Sequence, residues 1–205
     1  MKTYSFNRNY RTLGQVPRWA ILRMTREQSV LEHTALVAYY AHNIADIIKF
    51  EGDRGALLWE ALSHDLPEVE TGDLPSPIKG RITTPEILGE YEEHIMSKRF
   101  GVEEHTQDSS MHRIIKCADL LEAVLKLTEE KATGNRSVAS VLAAMTDMLF
   151  KKADMLDPVG DLKAHIVKAI RDEFFGCDGV KSVTNEKAGN VFWMNLEHEA
   201  NNHTS

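Results

Sequence analysis

Cysteine is scarce in this 205-residue sequence, and its two thiols, Cys117 and Cys177, stand far apart. No disulfide framework or cysteine-ligated zinc knuckle is expected, and a reducing compartment, the cytoplasm, fits. Long apolar runs are also missing. None approaches the roughly 18 residues of a membrane span, and the opening MKTYSFNRNYRTLG lacks the apolar centre of a secretory signal. There is no basic excess either: the formal net charge is -7, which gives no electrostatic reason for a stable complex with DNA, RNA or an anionic membrane surface. An anionic substrate would need a metal or a few placed cations. Alternating strand patterns, internal repeats and low-complexity segments are absent as well.

What is present is a globular balance, with 42% hydrophobic and 27% charged residues in a length that suits one domain. Apolar residues recur at helical spacing almost everywhere. Ser29 and Glu32 have capping-box spacing before Val30, Val37, Ala41, Ile44 and Ile48, which predicts a helix over about 29–49 with His33 in its first turn. Asp53 caps a second helix that carries Leu57, Leu58, Ala61 and Leu62 and ends at His64 and Asp65. Pro67, Gly72, Pro75 and Pro77 then predict an irregular loop. Thr83 with Glu86 opens a helix to about Arg99. A long helix closes near Gly134, another covers Ser137 to Lys152, and Asp157 with Pro158 at the first helical position starts a last one that fades by Gly176. Residues 177–205 read as a polar tail, an arm onto a neighbouring subunit. The expected architecture is an all-α bundle.

His33, His64, Asp65 and Asp119 come from three of these helices, each close to an apolar stripe, as a site at a bundle core requires. Two imidazoles and two carboxylates suit manganese, iron, cobalt or zinc, with positions left for water and substrate oxygen. The same residues also admit a structural reading. His33 would be a first-turn polar residue, His64 and Asp65 a helix edge, and Asp119 part of a solvated line of opposite charges with Lys116, Glu122 and Lys126. Spacing alone leaves both readings open.

A resemblance separates them. EHT at 32–34, HD at 64–65 and KCAD ending at Asp119 resemble the H…HD…D signature of HD-domain metal-dependent phosphohydrolases. RW at 18–19, HDLPEVETGDLPSPIK at 64–79 and IIKCADLLEAVLKLTEEKATGN at 114–135 are similar to the YfbR-like 5'-deoxynucleotidase branch. The likeness runs over residues 15–155. Within that branch, the RWAI segment and the short chain are similar to phage dATP triphosphohydrolases, which deplete adenine deoxynucleotides in viruses with 2-aminoadenine DNA.

The resemblance implies an HD-domain helical bundle over residues 1–176 and an enzyme acting on 2'-deoxynucleotides. The favoured reaction is hydrolysis of dATP to deoxyadenosine and triphosphate; the alternative is a broad 5'-deoxynucleotidase releasing phosphate from deoxynucleoside monophosphates. A catalytically silent nucleotide-binding regulator is a third reading, against which the complete set of acids argues. His33, His64, Asp65 and Asp119 would hold a divalent transition metal, zinc, cobalt or manganese, with further magnesium, cobalt or manganese ions near Glu68 and Asp73. Glu68, one helical turn beyond His64, is the expected general base, and Asp73 would orient the water or anchor a second ion. For Asp73 a turn-capping role is the alternative.

Arg18 would fork onto phosphate oxygens and Lys79 would add a point charge, unless both are merely solvated. Trp19 would press on the base or on C2' of the sugar, or else lie in the core. Ile21 would exclude the 2-amino group of guanine or 2-aminoadenine, or else pack in the core. Glu70 is expected to be solvated. The resemblance further implies a homo-oligomer, a dimer or hexamer, in the cytoplasm, which is the host's if the source is viral.

Overall fold

The computed structural model describes residues 7–75, 81, 83–102 and 109–175. Lys79, Cys177 and the expected tail lie outside the described residues. A short helix α1 (Asn9–Thr12) and a 3-10 turn (Leu13–Gln15) lead into a loop. That loop is pinched where Arg18 N–H donates to the Gln28 carbonyl at 2.8 Å and Val30 N–H to the Val16 carbonyl at 2.9 Å. The pinch makes one isolated antiparallel bridge, Pro17 with Ser29.

Helix α2 (Val30–Ile47) starts where expected, with the Ser29 side chain accepting from Glu32 N–H. The reciprocal half of the capping box is replaced, because the Glu32 carboxylate pairs with Arg26 at 2.6 Å. Asp53 caps α3 (Arg54–Ser63) by accepting from Gly55 and Ala56 N–H. The chain then stays helical longer than its proline suggests. Pro67 serves as the N-cap residue of a four-residue helix α4 (Glu68–Thr71), so its missing N–H falls where no helical bond is lost. Irregular backbone begins only at Gly72, whose φ of 69° few other residues adopt.

Helix α5 (Pro85–Ile95) is capped by Thr84, which accepts from Ile87 N–H, and not by Thr83. Proline at the first helical position fixes the cap at the residue before it, which moves the expected start by one. A π-helical turn (Met96–Phe100) follows and ends on Gly101 at φ 67°.

Helix α6 (Ser109–Ala132) is buried along most of its length, from Ile114 and Ile115 through Ala118, Leu121, Val124 and Leu127. It packs against α2, α3, α7 (Ala139–Leu156) and α8 (Asp161–Phe175), so it is the central element. Gly134 closes it at φ 96°. Helix α8 begins later than expected. Asp157 does cap it, accepting from Leu162 N–H at 2.8 Å, but Pro158 lies in an intervening turn that Gly160 completes at φ 99°. The core shared by α2, α3, α6, α7 and α8 includes Val37, Ala41, Leu57, Ile114, Leu127 and Leu149, none of them exposed. Among the described residues the architecture is all-α, the HD-domain bundle, and no helix is long and apolar enough to cross a membrane.

Candidate active site

Three helices deliver the candidate ligands. His33 sits in the first turn of α2, His64 caps the end of α3, and Asp119 projects from the middle of α6. One ligand atom from each lies within 4.8 Å of the other two. The fourth expected ligand, Asp65, is beside them but also engaged elsewhere. Its Oδ2 lies 3.3 Å from His64 Nε2, 3.5 Å from His33 Nε2 and 3.3 Å from Arg18 Nη1.

The donor set fits a divalent ion on the state of its two imidazoles. His64 Nδ1 is 2.7 Å from the Ala61 carbonyl, which can only accept, so this nitrogen carries the proton. His33 Nδ1 is 2.5 Å from Glu122 Oε2. The other nitrogen of each ring, Nε2, is buried with no hydrogen-bond partner. A buried polar atom without a partner is costly, and two of them beside carboxylates at 3.3–3.5 Å make a place for a cation.

The electrostatics agree for His64 and the two carboxylates, and leave on His33 a proton that a bound cation would displace. Burial pushes the His64 imidazole below its ordinary range, leaving it neutral as a ligand must be. Burial acts in the same direction on His33, but Asp119 and Glu122 outweigh it and hold the ring up to about 9. Burial would raise Asp65, yet His64, His33 and Arg18 together keep its carboxyl below the usual range. Asp119 is likewise depressed, against burial, by His33, His64 and Lys116.

The other expected residues surround this cluster. Glu68 is 6% exposed and follows Asp65 by one tight turn, its N–H donating to the Asp65 carbonyl at 3.0 Å. Arg18 lies against the Asp65 side, and its Nε is buried without a hydrogen-bond partner. Asp73 Oδ2 accepts from Trp19 backbone N–H at 3.1 Å. Trp19 is half-buried at the core's edge, with the Arg18 guanidinium 5.6 Å from its ring centre. Ile21 is 60% exposed, which contradicts its reading as core packing. Glu70 is not simply solvated; it pairs with Arg99 and accepts from Tyr91 Oη at 3.3 Å.

Sequence reasoning passed over two residues. Gln28 and Glu122 are each 2% exposed and sit behind His33. Glu122 and Lys126, which the structural reading alone placed on a solvated line, face inward: Lys126 is 4% exposed and bonded to Glu129 and Glu130. The i, i+4, i+8 series Glu122, Lys126, Glu130, set among Leu121, Ala123, Val124, Leu125 and Leu127, was the available signal.

A family profile described as 5'-deoxynucleotidase YfbR-like matches residues 5–98. A 5'-deoxynucleotidase of Yersinia pseudotuberculosis is 35% identical, the match covering 67% of this chain and 79% of that protein. Among solved structures, an HD-domain phosphohydrolase from Listeria innocua has a TM-score of 0.69 at 18% identity, covering 96% of each chain. The cyanophage S-2L HD phosphohydrolase DatZ, solved with dA and one catalytic zinc ion, has a TM-score of 0.66 at 21% identity, covering 84% of this chain and 99% of that one. These structures share the fold, and the Yersinia enzyme shares sequence over most of its length. The chain belongs to the YfbR-like 5'-deoxynucleotidase family, metal-dependent hydrolases built on the HD domain.

Proposed function

We propose that the protein hydrolyses dATP to deoxyadenosine and triphosphate, water attacking the α-phosphorus as the bond to the 5'-oxygen breaks. The observation that carries this reading is the placement of RWAI: Arg18 abuts the ligand cluster through Asp65, Trp19 is its neighbour, and Ile21 is exposed beside them. An apolar branched side chain left exposed two residues from an aromatic one is suited to bounding a base. It would exclude a 2-amino group by filling its space, which favours adenine over guanine or 2-aminoadenine. Such selectivity would serve a phage that replaces adenine in its DNA. DatZ, solved with dA and one catalytic zinc ion, is a structural neighbour, which supports the adenine reading and the zinc expectation.

His33, His64, Asp119 and Asp65 would hold a divalent ion, which would supply Lewis acidity toward a phosphoryl oxygen and lower the pKa of water near it. Zinc, cobalt or manganese suits this set, and magnesium or another such ion near Glu68 and Asp73 would add to it. The protein's own groups do the rest. Glu68 accepts the water's proton, Arg18 donates to a phosphate oxygen, and Asp73 fixes Trp19 against the sugar and base. A cavity of about 810 Å³ beside His64 offers room for the outer phosphates, with Arg113 and Lys116 on a wall that also carries Glu60, Glu92 and Glu93. Self-association as a dimer or hexamer in the cytoplasm completes the proposal.

The Yersinia relative favours a second reading, a 5'-deoxynucleotidase acting on deoxynucleoside monophosphates with the same centre. Chromatography of products from the four dNTPs, ATP and the four dNMPs, with zinc, cobalt, manganese or magnesium added, separates the two. Loss of dATP alone among the triphosphates, with deoxyadenosine and triphosphate appearing together, is expected. Inert dNTPs with phosphate released from several dNMPs would establish the second reading.

A further inference from the structure

Behind His33 runs a chain of three hydrogen bonds that ends at the proposed substrate loop. Trp19 Nε1 donates to Gln28 Oε1 at 3.0 Å, Gln28 Nε2 donates to Glu122 Oε1 at 2.6 Å, and His33 Nδ1 is 2.5 Å from Glu122 Oε2. Gln28, Glu122 and His33 are each at most 2% exposed, so water does not compete for these bonds.

The direction of every bond follows from its first member. An indole nitrogen can only donate, so the amide oxygen of Gln28 must face Trp19. The Gln28 amide nitrogen then faces Glu122, whose carboxylate can only accept. The remaining carboxylate oxygen takes the proton on His33 Nδ1, so that once a metal displaces the second proton the lone pair is left on Nε2, the atom that faces His64, Asp65 and Asp119. Reversing a link would set donor against donor at Trp19, or acceptor against acceptor at Glu122, in a buried place.

We propose that Gln28 and Glu122 are positioning residues through which Trp19 sets the tautomer and orientation of His33, so that the substrate loop and the metal-ligating nitrogen are held in register. Gln28 is suited to this twice over, since its backbone carbonyl also accepts from Arg18 N–H at 2.8 Å. The relay rests on the assignment of His33 as a ligand but not on which deoxynucleotide is cleaved. Outer partners of a metal-bound histidine are commonly worth 10- to 100-fold in metal affinity.

The test is calorimetric zinc binding to the full chain, with thermal unfolding of the zinc-free protein as a check on folding. Glu122→Gln keeps shape but puts an amide where two acceptors are needed, and should weaken zinc binding about 10- to 100-fold. Trp19→Phe keeps an aromatic ring but removes the donor with the pyrrole part of the indole; it should weaken zinc binding several-fold, whereas lost packing alone would lower the unfolding temperature and spare zinc affinity. Combining Gln28→Leu with Glu122→Gln should cost no more than Glu122→Gln alone, as members of one chain do. Wild-type affinity in folded Glu122→Gln and Trp19→Phe, with His33→Ala losing zinc, would overturn the relay and leave the metal centre standing. Wild-type affinity in His33→Ala would overturn the ligand assignment, and the relay with it.

Discussion

Trp19 and Asp73 are joined across 54 positions by a hydrogen bond of 3.1 Å from the Trp19 backbone N–H to Asp73 Oδ2. Trp19 has φ 65°, a left-handed conformation that costs a bulky residue about 1–3 kcal/mol and survives only where the surroundings enforce it. Asp73 is one of those restraints; the bridge at Pro17 and the Leu22 N–H bonded to the Trp19 carbonyl at 2.8 Å are others. Asp73→Ala should therefore release Trp19 and lower kcat/KM by about 100-fold, the penalty of a slightly misplaced substrate. Asp73→Asn keeps an acceptor and should recover part of that loss. Steady-state kinetics on both variants decides the role: equal loss in the two would assign Asp73 an action through its charge, on water or on a second ion.

Glu68 differs from the ligand cluster in what its removal should spare. It begins α4 directly after the turn that carries His64 and Asp65, and it is buried without belonging to the group of ligand atoms within 4.8 Å of each other. Glu68→Gln preserves volume and removes the proton acceptor. The expected result is a fall in kcat of about 100- to 10,000-fold, the range for general base catalysis, with zinc affinity held within a few-fold of wild type. Turnover near wild type would remove Glu68 from the reaction, whichever substrate is used.

Local signals in the sequence were legible where the chemistry is local. Ser29 and Asp53 cap their helices because a side-chain oxygen two or three residues before an amide needs nothing from the rest of the chain. The shift from Thr83 to Thr84 was also local, and Pro85 was its sign. What spacing could not show was the side on which a charged stripe faces. Glu122, Lys126 and Glu130 have the i, i+4 pattern of a solvated ladder, yet all three are buried because the 18–28 loop and α2 cover that face of α6. The convergence of His33, His64 and Asp119 likewise depends on how three helices pack, and the resemblance carried that expectation where periodicity could not. The exposure of Ile21 depends on the same loop's path.

Glu130 makes the tie between that loop and α6 pH-dependent. Its carboxylate, 1% exposed, accepts from Thr25 N–H at 2.7 Å, Thr25 Oγ1 at 2.8 Å, Arg26 N–H at 3.3 Å and Asn135 Nδ2 at 2.9 Å, and pairs with Lys126 at 3.1 Å. Burial would raise the carboxyl, but Asn135, Thr25 and Lys126 outweigh it and hold it down at about 2. A folded value below the ordinary 4.5 means the ionised form stabilises the fold at every pH above about 4.5, and that this contribution fades as pH falls toward 2. The shift corresponds to about 3 kcal/mol. Denaturant unfolding should therefore find Glu130→Gln less stable than wild type by about 2–3 kcal/mol at pH 7, with the gap closing between pH 5 and pH 2. Because the clamped loop carries Trp19, Ile21 and Gln28, kcat/KM should fall in the same variant, and zinc affinity should weaken with it as the relay to His33 loosens. Stability curves that stay parallel down to pH 2 would show that the Glu130 charge contributes nothing, leaving shape alone to hold the loop.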